Sequence, residues 1–258
     1  MSASQHAPWL TAIGLALSLA PSLSHAQIKT LPDGKWRQIL GAGASLASGN
    51  SDLRSFNLGY DLARATDRNS FSLRAKALYN TAEGETSAHN SDLSVTGKHN
   101  LRDDFYVYAN GTWFRDRIAK LSHRLSTSGG FGYKLIKTPQ TDWEVFAGLG
   151  YTQDRYTIPT IVDDRLRTRY GRTELTLGNE STHQLTDTTT FHQRLALFPA
   201  MNKARDLRAE FLANLSVAMT KRLALTATAE LRYNSDPGNQ VSKMDRRFTT
   251  GISLKFVD

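Results

Sequence analysis

A chain of 258 residues without a cysteine has neither a disulfide scaffold nor a thiolate metal site. Its 32 Lys and Arg outweigh 24 Asp and Glu to give a formal charge of +8, a surplus that leans toward phosphates or anionic lipid. The basic residues are scattered along alternating segments and form no patch with interleaved aromatics, which argues against nucleic acid as a partner.

The first element is an apolar run over residues 9–23 followed by Ser24-His25-Ala26, a small-x-small cleavage site. The run is too short to span a bilayer comfortably as a helix. It reads as a secretory signal peptide over 1–26, cut between Ala26 and Gln27, although its start carries His6 and no Lys or Arg. Export also suits a chain without cysteine, because it crosses an oxidising periplasm unfolded. Residues 27–37 form a polar periplasmic lead-in around the turn signal Pro32-Asp33-Gly34, and 38–258 form one domain.

From Ile39 onward apolar residues recur every second position, the period of a strand with one apolar and one polar face. Leu40, Ala42, Ala44 and Leu46 share a face, and Gly49-Asn50-Ser51-Asp52 turns the chain. Phe56, Leu58, Tyr60 and Leu62 follow, then Phe71, Leu73, Ala75, Ala77 and Tyr79 after a turn at Thr66-Asp67-Arg68-Asn69. A polar loop over 83–90 leads to a weaker segment with Leu93 and Val95. Arg102-Asp103-Asp104 turns into Phe105, Val107, Ala109, Gly111 and Trp113. The sixth segment, near 125–135, holds Gly129, Gly130 and Gly132, which predicts a bulge or a close contact. Trp143, Val145, Ala147, Leu149 and Tyr151 come next, then a longer charged loop over 158–167. Leu175 and Leu177 mark an eighth segment, and Phe191, Leu195 and Leu197 a ninth. The last fifty residues are the most regular, with rows Leu207 to Met219, Leu223 to Tyr233 and Phe248 to Phe256.

About twelve such segments, each near ten residues, have the length and even number of an antiparallel up-and-down transmembrane β-barrel. The connections near 67, 103, 140, 187 and 221 are tight, while those near 86, 118, 162, 202 and 240 are longer and more charged. Short periplasmic turns and long external loops give this asymmetry, and both termini then fall on the periplasmic side. A soluble sandwich alternates too, but it gathers its apolar rows into one shared core. Strand length, loop asymmetry, the export signal and aromatics at strand ends (Trp113, Trp143, Tyr79, Tyr151, Tyr233) favour apolar rows facing lipid in the bacterial outer membrane.

The block Gly41-Ala42-Gly43-Ala44-Ser45-Leu46-Ala47-Ser48-Gly49-Asn50-Ser51-Asp52, followed by a Tyr/Leu-alternating strand and a charged turn, resembles the domain-of-unknown-function 481 family (DUF481), the salt-induced outer membrane proteins. Ser51 stands where the family pattern has Thr. The resemblance runs over roughly 36–256; it implies an outer-membrane barrel and a stress-related role, and it brings no ligand or catalytic residue with it.

The polar rows are the candidate site. Facing inward, Asp61, Arg74, Lys76, Asp92, Lys98, Glu144, Glu174, Arg194, Arg208, Glu210, Glu230, Arg232 and Lys255 line a lumen with nearly balanced charge. Such a lining makes a selective channel if open, and a sealed ion-paired interior if the charges satisfy one another. A barrel of this strand number lies between small filled barrels and wide porins, so a narrow or closed lumen is the expectation and a small-solute pore the alternative. Arginines in the longer loops, among them Arg155, Arg165, Arg167 and Arg169, suit phosphates of outer-membrane lipid and lipopolysaccharide, or are simply solvated among neighbouring Asp. Barrel-assembly machinery is the expected biogenesis partner, with Phe256 in the position such machinery reads. Asn-Ser-Asp occurs at 50–52, 90–92 and 234–236, which suits turns better than cation binding. A lipid-modifying enzyme needs an activated nucleophile; His123 with Ser126 and Ser181 with His183 are the available pairs, and neither has a specifying motif. No catalytic, cofactor-binding or metal-ligating residue is assigned.

Overall fold

The computed structural model describes residues 31–47, 53–203, 206–238 and 242–257. The expected signal peptide, the first external turn near Asn50 and its Asn-Ser-Asp lie outside them. Among the described residues the chain forms twelve strands: β1 (Trp36–Ala47), β2 (Leu53–Ala65), β3 (Asn69–Ala82), β4 (Glu85–Asn100), β5 (Phe105–Asp116), β6 (Leu121–Lys137), β7 (Thr141–Val162), β8 (Arg165–Gln184), β9 (Thr189–Pro199), β10 (Leu207–Ala218), β11 (Leu223–Asn234) and β12 (Met244–Val257). Each pairs antiparallel with its sequence neighbours, and β1 pairs with β12, so the sheet closes without an edge. Closure satisfies backbone groups where no water is available.

The two faces are those of a membrane barrel. Phe56, Leu58, Tyr79, Leu149, Leu225, Phe248 and Ile252 are exposed on the outside, while Asp61, Asp154, Arg172, Glu174, Asn214 and Thr228 are buried within. Aromatics mark both borders of the apolar band. Phe71 and Tyr79 on β3, Phe105 and Trp113 on β5, Trp143 and Tyr151 on β7, and Phe248 and Phe256 on β12 each stand eight residues apart on the outward row. Eight residues of strand measure about 27 Å, which at the usual tilt gives a band roughly 20 Å tall, close to that of outer-membrane barrels. Ile39 departs from the pattern: it is 1% exposed and packs inward on Ala63.

Turns at 66–68, 101–104, 138–140, 185–188 and 219–222 gather with both strand termini at one end of the barrel, the end expected on the periplasmic side and named so below. There β1 begins at Trp36, inside the expected lead-in. Arg37 faces inward and grips Asp33 with both arms at 2.5 and 2.9 Å, holding that carboxyl down at about 2.

The external end differs from expectation. The 83–90 loop is strand except for a two-residue turn, Glu83-Gly84, with φ of 52° and 80°. The charged loop expected over 158–167 is the tip of a hairpin in which β7 and β8 run well beyond the other strands and turn at Asp163-Asp164, both at positive φ. Two left-handed residues give the turn whose twist matches its flanking strands, and Asp tolerates that conformation better than most residues. Periodicity was obscured there by Pro159 and by the register shift between Arg155 and Thr160. The glycine-rich stretch of β6 is a close contact. A side chain at Gly132 would overlap the ring of Tyr106, and one at Gly130 would meet the backbone of β7.

Candidate functional site: an ion-paired lumen beneath a hairpin

Inward side chains of β2 to β12 converge on a cavity of about 430 Å³, whose wall reaches from Ser70 and Lys98 near the periplasmic end to Asn234, Lys243 and Asp245 at the external end. Of the residues expected to line it, Asp61, Arg74, Lys76, Asp92, Lys98, Glu144, Glu174, Arg194, Arg208, Glu210, Glu230 and Arg232 stand in its wall. Lys255 is exposed on β12 and is not part of that wall.

Near the periplasmic end, Arg74 Nε bonds Asp61 at 2.8 Å, Lys98 bonds Glu144 from β4 to β7, and Glu180 faces Arg194 at 3.7 Å and His192 at 3.6 Å. Tyr106 is 1% exposed, with Lys98 Nζ 4.8 Å from its ring centre. Arg194 lies over Phe146 at 5.3 Å.

Farther up, two contacts cross the lumen. Lys76 of β3 bonds Glu230 of β11 at 2.6 Å, and Arg232 of β11 approaches Asp92 of β4 at 3.8 Å. These strands stand four and five places apart round a sheet of twelve, so each contact reaches across the bore rather than along one wall. Arg247 adds a second cation to Glu230 at 3.3 Å.

The external layer is the most enclosed. Arg124 holds Asp154 at 2.5 and 2.7 Å, Arg172 Nε meets Glu174 at 2.9 Å, and Arg208 grips Glu174 at 2.9 and 2.8 Å. Thr152 donates to Glu174 at 2.6 Å. Taking these charges from water is costly, and bidentate pairing offsets it. In the sequence Arg124 and Asp154 fall in charged connections and Arg172 is not singled out, because β6, β7 and β8 extend farther than their apolar rows indicate. Carrying the period two of β7 onward puts Asp154 on the same row as Glu144.

Above this layer the β7–β8 hairpin leans across the mouth. Tyr156, Val162 and Tyr170 pack with Leu121 into a small apolar core. Its tip is latched to two other loops: the Asp163 amide donates to Asp236 at 2.8 Å, and Lys203 Nζ lies 2.9 Å from Asp163 and 3.1 Å from Asp236. The bond from Lys203 holds the Asp163 carboxyl below its ordinary range. Lys203, against the cost of its burial, is held above its own range by those two carboxylates.

The remaining candidates separate cleanly. His123 belongs to the outward row, while Ser126 lies in the lumen 2.8 Å from Thr152, so that pair is split between faces. Ser181 and His183 do meet, at 3.1 Å, but the other ring nitrogen contacts Thr141 where an activated pair has a carboxylate. Asn90 and Asp92 lie within β4, facing the lumen, and Asn234 accepts from the Asp236 amide in a local turn at 3.3 Å. Among the described residues no cluster of three His, Asp or Glu is placed to hold a metal ion.

A family model described as "Protein of unknown function, DUF481" matches residues 40–256. The Escherichia coli (strain K12) protein described as "Uncharacterized protein YdiY" is 24% identical over 217 residues, 83% of this chain and 80% of that one. Among solved structures the chain is similar to the NanC porin, with 12% identity and a TM-score of 0.47 over 86% of this chain and 97% of that one. It is similar also to the translocator domain of the autotransporter NalP from Neisseria meningitidis, with 12% identity and a TM-score of 0.45 over 86% and 88%. The KdgM porin in complex with disordered oligogalacturonate matches at 9% identity and a TM-score of 0.44 over 86% and 99%.

Proposed function

Because the chain belongs to the DUF481 family, which names no activity, we propose its role from the barrel itself: an outer-membrane protein, exported with cleavage after Ala26, that serves the envelope structurally or under stress rather than by bulk transport. The observation that carries this is the pair of contacts across the bore, Lys76 with Glu230 and Arg232 with Asp92, above a periplasmic layer of further pairs and beneath a latched hairpin. Fixed charges that neutralise one another across a narrow lumen leave little room for a solute and little net field to select one. A second reading, a small-solute pore, is favoured by the cavity wall reaching from Ser70 to Lys243. Swelling of vesicles carrying the refolded barrel tests both. The structural reading expects no faster entry of disaccharides than in empty vesicles. Rapid disaccharide entry contradicts it, and rapid entry restricted to glycerol-sized solutes moves the assignment to the narrow pore.

A further inference from the structure

The lumen accounts for the inward charges and leaves the outward ones unexplained. On the external shoulder, His123 of β6 is the register partner of Arg155 of β7, and Arg155 stands opposite Arg169 of β8. Their chain neighbours Arg124, Asp154 and Tyr170 turn inward, which puts these three side by side on the lipid-facing row. Arg155 and Arg169 are exposed, and neither side chain has a hydrogen bond or ion pair among the described residues. Like charges directly opposite on adjacent strands repel. The outward positions beside them, Leu125, Gln153 and Gly171, supply no carboxylate to relieve it.

What lies below the cluster identifies the counterion. Leu125, Leu149 and Tyr151 are exposed on the same face, and a tyrosine at that height marks the border between acyl chains and headgroups. Arg155 is four residues beyond Tyr151, about 13 Å along the strand and about 10 Å along the membrane normal at the usual tilt. The headgroups fill the space between that border and Arg155, and an arginine side chain lays its stem along the barrel wall while its charged head meets headgroup oxygens. Guanidinium forks match phosphate in shape and charge. The apolar ledge directly beneath favours a phosphate that is attached to acyl chains over a free one.

We propose that Arg155, Arg169 and His123 form a binding site for the headgroup of an outer-leaflet glycolipid carrying more than one phosphate. The proposal rests on the outer-membrane reading. The test uses the full barrel inserted in phosphatidylcholine vesicles doped with bis-phosphorylated lipid A, then extracted in mild detergent and weighed intact by native mass spectrometry. Wild-type protein is expected to retain lipid A in the presence of excess inorganic phosphate, and R155Q/R169Q to retain about thirtyfold less, the loss of two cations that each contribute on the order of 1 kcal/mol near the surface. Equal retention by the two proteins overturns the site, as does displacement by inorganic phosphate. Heat-modifiable migration of the same samples reports insertion. An inserted barrel with no lipid preference overturns the site alone, whereas wild-type protein that never inserts overturns the membrane reading. If the double variant does not insert, Arg169→Gln carries the same comparison.

Discussion

Ile252 stands midway between Phe248 and Phe256 on the outward row of β12 and is 49% exposed, so it meets the middle of the acyl region. Replacing it with Arg is expected to lower the stability of the membrane-inserted state by about 2–4 kcal/mol, while Arg at Phe248, near the border, costs about 0–1 kcal/mol. Reversible refolding titrations of the two variants check this, and equal losses contradict the placement of the band. At Gly132 the expectation is steric: Leu there must displace Tyr106, a residue 1% exposed, and should abolish insertion of the barrel. The facing of single residues was legible because period two commits every side chain on a strand at once. Leu40 outward and Asp61 inward both follow from it. Ile39 inward follows from Leu40 outward as well; what the alternation did not indicate is an apolar side chain on the polar row, packed against Ala63 of β2.

At the scale of elements, the β7–β8 hairpin is where reading and structure diverge. Arg155, Pro159, Asp163, Asp164 and Arg165 looked like a solvated loop, yet the chain stays in strand pairing up to Val162 and Arg165. The physical reason is that the apolar partners of this hairpin are local and few: Tyr156 and Val162 pack on Leu121 of another strand, a contact no spacing rule anticipates. The latch sets a pH dependence. The Asp163 carboxyl is held below its ordinary 3.8 by its bond from Lys203, so the stability it contributes is present above that value and lost as pH falls through the lowered one. Hydrogen exchange at the Asp163 amide, corrected for its intrinsic pH dependence, should lose protection below about pH 4. Lys203→Ala should lose the same protection at neutral pH. Protection unchanged in that variant means the hairpin is held by its apolar core alone.

For the whole molecule, the arrangement is inverted relative to a water-soluble protein: the exterior is apolar and the interior is a ladder of paired charge. The apolar N-terminal run and the strand period made an export and membrane reading possible, whereas the expected alternation of short and long connections is only partly kept, since those near 86 and 162 are two-residue turns between lengthened strands. What no one-dimensional pattern contained is which charges meet. Lys76 and Glu230 are separated by 154 positions and are brought together only by closure of β1 on β12.

That contact is the most direct place to test the account. Single-barrel conductance in planar bilayers should be small or undetectable for wild-type protein and should rise in a Lys76→Ala/Arg232→Ala variant, because both bridges across the bore are then gone. Identical conductance in the two proteins contradicts a lumen held narrow by paired charge.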